Sequence, residues 1–166
     1  MTALSAPSFR WAFLFLSGLL TFSPIGAGAG MTPDEVKSFN KYKAEAEKTG
    51  FVGAQYILAE CYRDGVGTIK DAAEAVVWYR KSSEQEFGPA QRELGLLYAK
   101  GIGVPKDEIE AYAYLNLAGM SWDVPRDELR ALEKKMSRDE IAAGQKRTKE
   151  LQKEIEAKIA AKKAGK

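Results

Sequence analysis

Apolar residues recur through the middle of the chain with a helical rhythm. Ala54, Leu58, Cys61 and Tyr62 follow 4-3-1 spacing, and Ala90, Leu94, Leu97 and Tyr98 repeat it, which places each set on one face of a helix. Gly65 and Gly101 stand just past these helices, where a glycine can take the left-handed conformation that closes a helix end. A second glycine follows two positions later, Gly67 and Gly103, and lets the chain turn sharply. Asp71 with Glu74, and Asp107 with Glu110, then read as an N-cap with a return carboxylate, so a second helix starts at the same phase in both places. Its inward stripe is Ala75, Trp78 and Ser82 in one copy and Ala111, Tyr114 and Ala118 in the other.

Residues 54–82 therefore align with 90–118 without a gap, at an offset of 36. That length accommodates two helices and two turns, the unit of a helical solenoid. One period earlier, Phe39, Tyr42 and Ala46 fall opposite Ala75, Trp78 and Ser82, and Thr32-Pro-Asp-Glu35 supplies the starting box of a lone second helix. Downstream, Pro125 to Met136 predicts a further helix, and Ser137-Arg-Asp-Glu140 caps a long one carrying Ile141, Leu151, Ile155 and Ile159. Two full units cannot shield both of their faces, so these flanks are expected to close the ends.

The string Ala-x3-Leu-(Ala/Gly)-x2-Tyr-x2-Gly-(Val/Ile)-Gly-x3-Asp-x3-Ala-x2-(Trp/Tyr), present at 54–78 and 90–114, resembles the Sel-1-like repeats, relatives of the tetratricopeptide repeats. The chain departs from that pattern in having two complete repeats, Thr68-Ile69 where the second copy has Val104-Pro105, and Ser82-Ser83 where two alanines are usual. The resemblance implies an all-α fold, an alpha-alpha superhelix: a short right-handed solenoid of helix-turn-helix repeats, here with a long C-terminal helix. Full repeats are expected at about 51–86 and 87–122 within a solenoid spanning 30–136, followed by a basic helix over 137–166. The implied activity is protein binding, often in the secretory pathway or bacterial envelope. In such solenoids the first helices line the concave side. The positions flanking the anchors there are Tyr56, Glu60 and Arg63, then Arg92, Leu96 and Ala99; by phase Tyr56 and Leu96 have no core role, so Tyr56, Arg63, Arg92 and Leu96 are the expected contacts to a protein partner.

Composition narrows the chemistry. There is no histidine and one cysteine, Cys61, which excludes a Ser-His-Asp triad, a Cys-His dyad, histidine-ligated zinc and an intramolecular disulfide. Ser38-x-x-Lys41 and Lys48-Thr-Gly50 mimic two penicillin-recognising motifs, but both fall on or just after one helix and no Ser-Asp-Asn occurs. The paired glycines lack the third glycine or the Lys-Ser/Thr of a phosphate loop. No enzyme activity, cofactor, metal or small-molecule substrate is expected. Cys61 lies opposite Leu97 and reads as a small core hydrophobe.

Arg10, the 12-residue apolar run Trp11–Phe22 and the small residues Gly26–Gly30 have the layout of a secretory signal peptide over 1–29. The run is short of the roughly 20 residues that span a bilayer as a helix, so export across the inner membrane to the periplasm or exterior is expected. Charge is divided: residues 31–133 carry 13 basic and 18 acidic side chains, residues 134–166 carry 11 and 5. The basic arm, with Lys146, Arg147, Lys149, Lys153, Lys158, Lys162, Lys163 and Lys166, reads either as a solvated terminal helix or as a contact for an acidic partner or an anionic membrane or envelope surface. No aromatic residue follows Trp122, so nucleic acid is not an expected partner.

Overall fold

Helix α1 (Pro33–Thr49) opens on the box written at its start: Thr32 Oγ1 accepts the Glu35 N–H at 3.2 Å and the Glu35 carboxylate accepts the Thr32 N–H at 2.7 Å. Ser137 and Glu140 repeat the pattern at 3.3 and 2.7 Å to open α7 (Arg138–Ala164). These hydrogen bonds hold both glutamates below the usual carboxylate range. Between them lie α2 (Val52–Asp64), α3 (Ala72–Ser83), α4 (Gly88–Lys100), α5 (Glu108–Met120) and α6 (Asp127–Glu133). The computed structural model describes residues 30–120 and 126–165; these are helical with short connections, and no strand occurs among them. The expected signal segment lies outside the described residues, as do Pro125 and Lys166.

The boxes expected at Asp71 and Asp107 close halfway. Asp71 Oδ1 accepts the N–H groups of Ala73 and Glu74, each at 3.0 Å, and Asp107 Oδ1 those of Ile109 and Glu110 at 2.9 and 3.0 Å. The return carboxylates do not engage. Each cap folds back onto the preceding helix, where the Asp71 N–H meets the Tyr62 carbonyl at 2.8 Å and the Asp107 N–H the Tyr98 carbonyl at 3.1 Å. With that donor already satisfied, Glu110 is free for another partner.

Gly65 and Gly101 end α2 and α4 in the left-handed region, at φ 77° and 68°. Gly67 and Gly103, also at positive φ, do more than turn the chain. A Cβ on Gly67 would sit 2.2 Å from the Glu35 carbonyl oxygen, and one on Gly103 2.2 Å from that of Ala72. Each turn thus presses backbone to backbone against the start of the preceding second helix, an approach that any side chain forbids.

Both second-helix stripes are buried as the spacing predicts, as are Ala54, Leu58, Cys61, Ala90, Leu94 and Leu97 of the anchor faces, whose tyrosines Tyr62 and Tyr98 are half-buried against the core; α1 contributes Phe39 and Ala46. One large cluster runs from Phe39 through Leu58, Tyr79 and Leu94 to Leu117; a second holds Ala111, Tyr112, Leu115, Leu129, Leu132 and Met136 under α6. Helix α5 is covered on several sides, so Tyr112, Ala113, Leu115 and Leu117 are buried along with its predicted stripe. Helix α7 lays Ile141 on the second cluster and Leu151, Ile155 and Ile159 on the first, completing its stripe with the buried Gly144 and Thr148. The basic arm is therefore an integral wall of the core through Ile159, in contrast to the solvated tail that composition allowed.

Cys61 is buried, 8% exposed, and burial pushes its thiol up. A thiol reagent is expected to leave it unmodified in the native protein and to react stoichiometrically in denaturant; rapid native labelling would remove it from the core.

Candidate partner-binding surfaces

The first helices α2, α4 and α6 are tied together by charge. Arg63, at the end of α2, makes a paired contact to Asp64 at 2.9 and 2.7 Å, and its Nη1 donates to the Tyr79 hydroxyl at 2.9 Å and to Glu93 of α4 at 3.2 Å. Arg92 donates to Glu93 at 2.9 Å and to Glu128 of α6. Tyr56 packs between the Tyr79 and Phe87 rings, with centroids 5.6 and 5.3 Å away. Burial, reinforced by Glu60 and Glu93, pushes its phenol up to about 12. The Arg63 guanidinium holds Asp64 below the usual carboxylate range, and the Arg92 hydrogen bond does the same for Glu128.

Of the four expected contact residues, Tyr56, Arg63 and Arg92 are brought into this one half-buried network. Leu96 is not: it packs against the second cluster. By phase alone Tyr56 and Leu96 have no core role, and in the structure both pack against the core. The difference has a physical cause, since Phe87 of the α3–α4 connection and the helix α6 return onto faces that a single repeat leaves bare.

A different surface follows α7. Arg147 is held by Glu110 at 2.6 Å and Glu154 at 2.9 Å, the first being the carboxylate that the half-closed box left free. Lys158 reaches Glu84 at the end of α3, at 2.5 Å. Two cavities flank the helix: one of about 380 Å³ lined by Arg80, Tyr98, Glu110, Tyr114 and Arg147, the other of about 540 Å³ lined by Gln55, Lys81, Gln85, Ile159, Lys162 and Lys163. Glu84 and Lys158 belong to both, so their ion pair divides one from the other. Among the described residues no three His, Cys, Asp or Glu side chains are grouped to hold a metal, and no helix is long and apolar enough to cross a membrane.

The family of the Sel1 repeat matches residues 52–87 and 88–121. The chain carries two Sel1 repeats. Each Sel1 repeat is a first helix, a two-glycine turn and a second helix, α2 with α3 and α4 with α5, while α1, α6 and α7 lie outside the matched spans. The Sel1 repeats are similar to two Schizosaccharomyces pombe proteins, chitin synthase regulatory factor 3 (32% identity over 94 residues) and factor 2 (29% over 100). These alignments cover 55% and 59% of the chain but 10% and 19% of the relatives, so the chain spans a small part of their length. Among solved structures, a protective antigen of uropathogenic Escherichia coli strains with an SLR fold matches at a TM-score of 0.66 and 28% identity, covering 69% of this chain and 25% of that one. A Sel1 repeat protein from Oxalobacter formigenes matches at 0.51 and 36%, covering 53% and 36%. The fold is an all-α solenoid, and Sel1 repeats make a protein-interaction module.

The link from the second Sel1 repeat to α6 should be acid-sensitive. The folded state lowers the Glu128 pKa below its ordinary value of 4.5, so the Arg92 contact adds stability above about that pH and loses it as pH falls through the folded value. The stability gap between wild type and Glu128→Gln, measured by urea unfolding, is expected to narrow steadily between about pH 6 and pH 3. A constant gap would mean that the ion pair contributes nothing.

Proposed function

We propose that the chain is a non-enzymatic adaptor exported from the cytoplasm, periplasmic or extracellular, that captures another protein on the surface formed by α2, α4 and α6. The observation that carries this reading is the stacking of two Sel1 repeats whose first helices share the Arg63–Glu93–Arg92–Glu128 network. Half-buried arginines beside Tyr56 make the kind of centre on which interfaces concentrate their energy. Export is supported by the sequence of residues 10–30. Relatives named as regulatory factors fit a role of binding rather than turnover.

The exposed lysines of α7 other than the Glu84-paired Lys158, namely Lys146, Lys149, Lys153, Lys162 and Lys163, favour a second reading, association with an anionic envelope surface. Removing residues 146–166 does not separate the two, because it also strips Leu151 and Ile155 from the core. A photo-crosslinking residue does. Placed at Glu60 in the full chain within intact cells, it is expected to trap a defined protein, while one at Lys153 traps none. Adducts from Lys153 alone, or retention of the chain in the cytoplasm, would overturn the proposal.

A further inference from the structure

The larger cavity beside α7 has the makings of a receptor for carboxylate. Its lining contains four lysines, Lys81, Lys158, Lys162 and Lys163, against two glutamates, Glu84 and Glu86. Glu84 is already paired with Lys158, which leaves three ammonium groups facing one free carboxylate. Lys81 is held at the rim by the Trp78 ring, 3.6 Å from its centroid. The floor is made of amides. Gln85 Nε2 donates to the Gly50 carbonyl at 2.9 Å and to Gln55 Oε1 at 2.8 Å, which fixes the Gln55 amide with its oxygen spent. Gln55 is only 7% exposed, lines the cavity, and its own Nε2 has no partner among the described residues. A donor that opens onto a cavity lined by more lysines than glutamates is matched by an anion that accepts hydrogen bonds. Ile159 gives the remaining wall an apolar surface.

We propose that this cavity binds a carboxylate of an extended acidic peptide, the carboxylate accepting from Gln55 Nε2 and facing Lys162 and Lys163. Its volume of about 540 Å³ exceeds what a lone small anion fills and suits a few residues of a chain. The inference deepens the interaction-module reading and rests on it for the nature of the occupant. Gln55 shares α2 with Glu60, but Lys81, Glu84, Gln85, Lys158, Ile159, Lys162 and Lys163 lie on α3, the α3–α4 connection and α7, so a Glu60 adduct and peptide binding in the cavity can fail separately.

The test is a fluorescence-anisotropy titration of the full chain with a labelled hexapeptide of alternating glutamate and leucine. Versions with a free and an amidated C-terminus tell a terminal carboxylate from a side-chain one, and NMR follows the Gln55 side-chain amide. Saturable binding is expected, weakened by salt and moving the Gln55 resonance. Lys162→Glu/Lys163→Glu should weaken it about ten-fold or more, while the equally basic but distant pair Lys149→Glu/Lys153→Glu changes it less than about two-fold. Equal loss in the two variants, a static Gln55 resonance, displacement by low millimolar inorganic phosphate, or binding of phosphatidylglycerol vesicles without binding of either peptide would each overturn the proposal.

Discussion

Replacing Gly103 with alanine is expected to lower the stability of the fold by about 2–5 kcal/mol, against about 1–2 for Gly101→Ala two positions away. Both glycines have positive φ, so both variants carry the left-handed penalty. What separates them is the surroundings. A Cβ at Gly101 meets the Lys106 Cβ at 3.2 Å and its backbone nitrogen at 3.3 Å, a crowding that a shift of a few tenths of an ångström relieves, whereas at Gly103 it meets the Ala72 carbonyl at 2.2 Å, inside the first turn of α3. Relief there requires moving a helix, and overpacking of that kind adds about 1–3 kcal/mol. Since whole domains are stable by only about 5–15 kcal/mol, the variant should show a large drop in its urea midpoint at unchanged slope. Equal midpoints for the two variants would show that the close approach does not constrain the fold.

Leu151→Ala is expected to cost about 2–5 kcal/mol, the usual range for emptying a buried leucine site, while Lys153→Ala stays within about 0.5. Leu151 and Ile155 belong to the same cluster as Leu58 and Leu94, so the effect should appear in the cooperative unfolding of the repeats and not as a separate early fraying of α7. Thermal unfolding followed by circular dichroism and by Trp78 fluorescence, with Trp11 and Trp122 replaced by phenylalanine, tests this: two separated transitions, or a silent Leu151→Ala, would show that α7 is an appendage.

The repeats were legible because their determinants are local. Helix spacing from Ala54 to Tyr62, the glycine at each helix end and the acidic cap at Asp71 all act within a few residues of chain, where one sequence suffices. What depended on distant segments was not legible. Tyr56 and Leu96 look idle within a repeat and gain their packing from Phe87 and the second cluster. Gly95 and Gly144 look like poor helix residues, yet a Cβ on either would fall 2.6 or 2.5 Å from Leu115 or Tyr112, because α4 and α7 both close on α5. Counting small residues as apolar would have revealed the α7 stripe as Ile141, Gly144, Thr148, Leu151, Ile155 and Ile159. The candidate site was legible as residue types; the ion pairs across α2, α4 and α6, and the amide floor between α2 and the α3–α4 connection, join positions 30 or more residues apart.

The contact glycines look backward along the chain, Gly67 onto α1 and Gly103 onto α3, and one further period arrives at Asp139. The start of α7 therefore has no counterpart of those two turn glycines, and α7 meets α5 closely through Gly144, set against the Tyr112 ring. Without a backbone-to-backbone joint at its start, α7 also holds on by reach, which gives a reason for its 27 residues, about twice the 13 of α5. Length at the terminus and glycine at the joints are two answers to one mechanical demand, and a designer extending this array would transplant the clasp before lengthening anything.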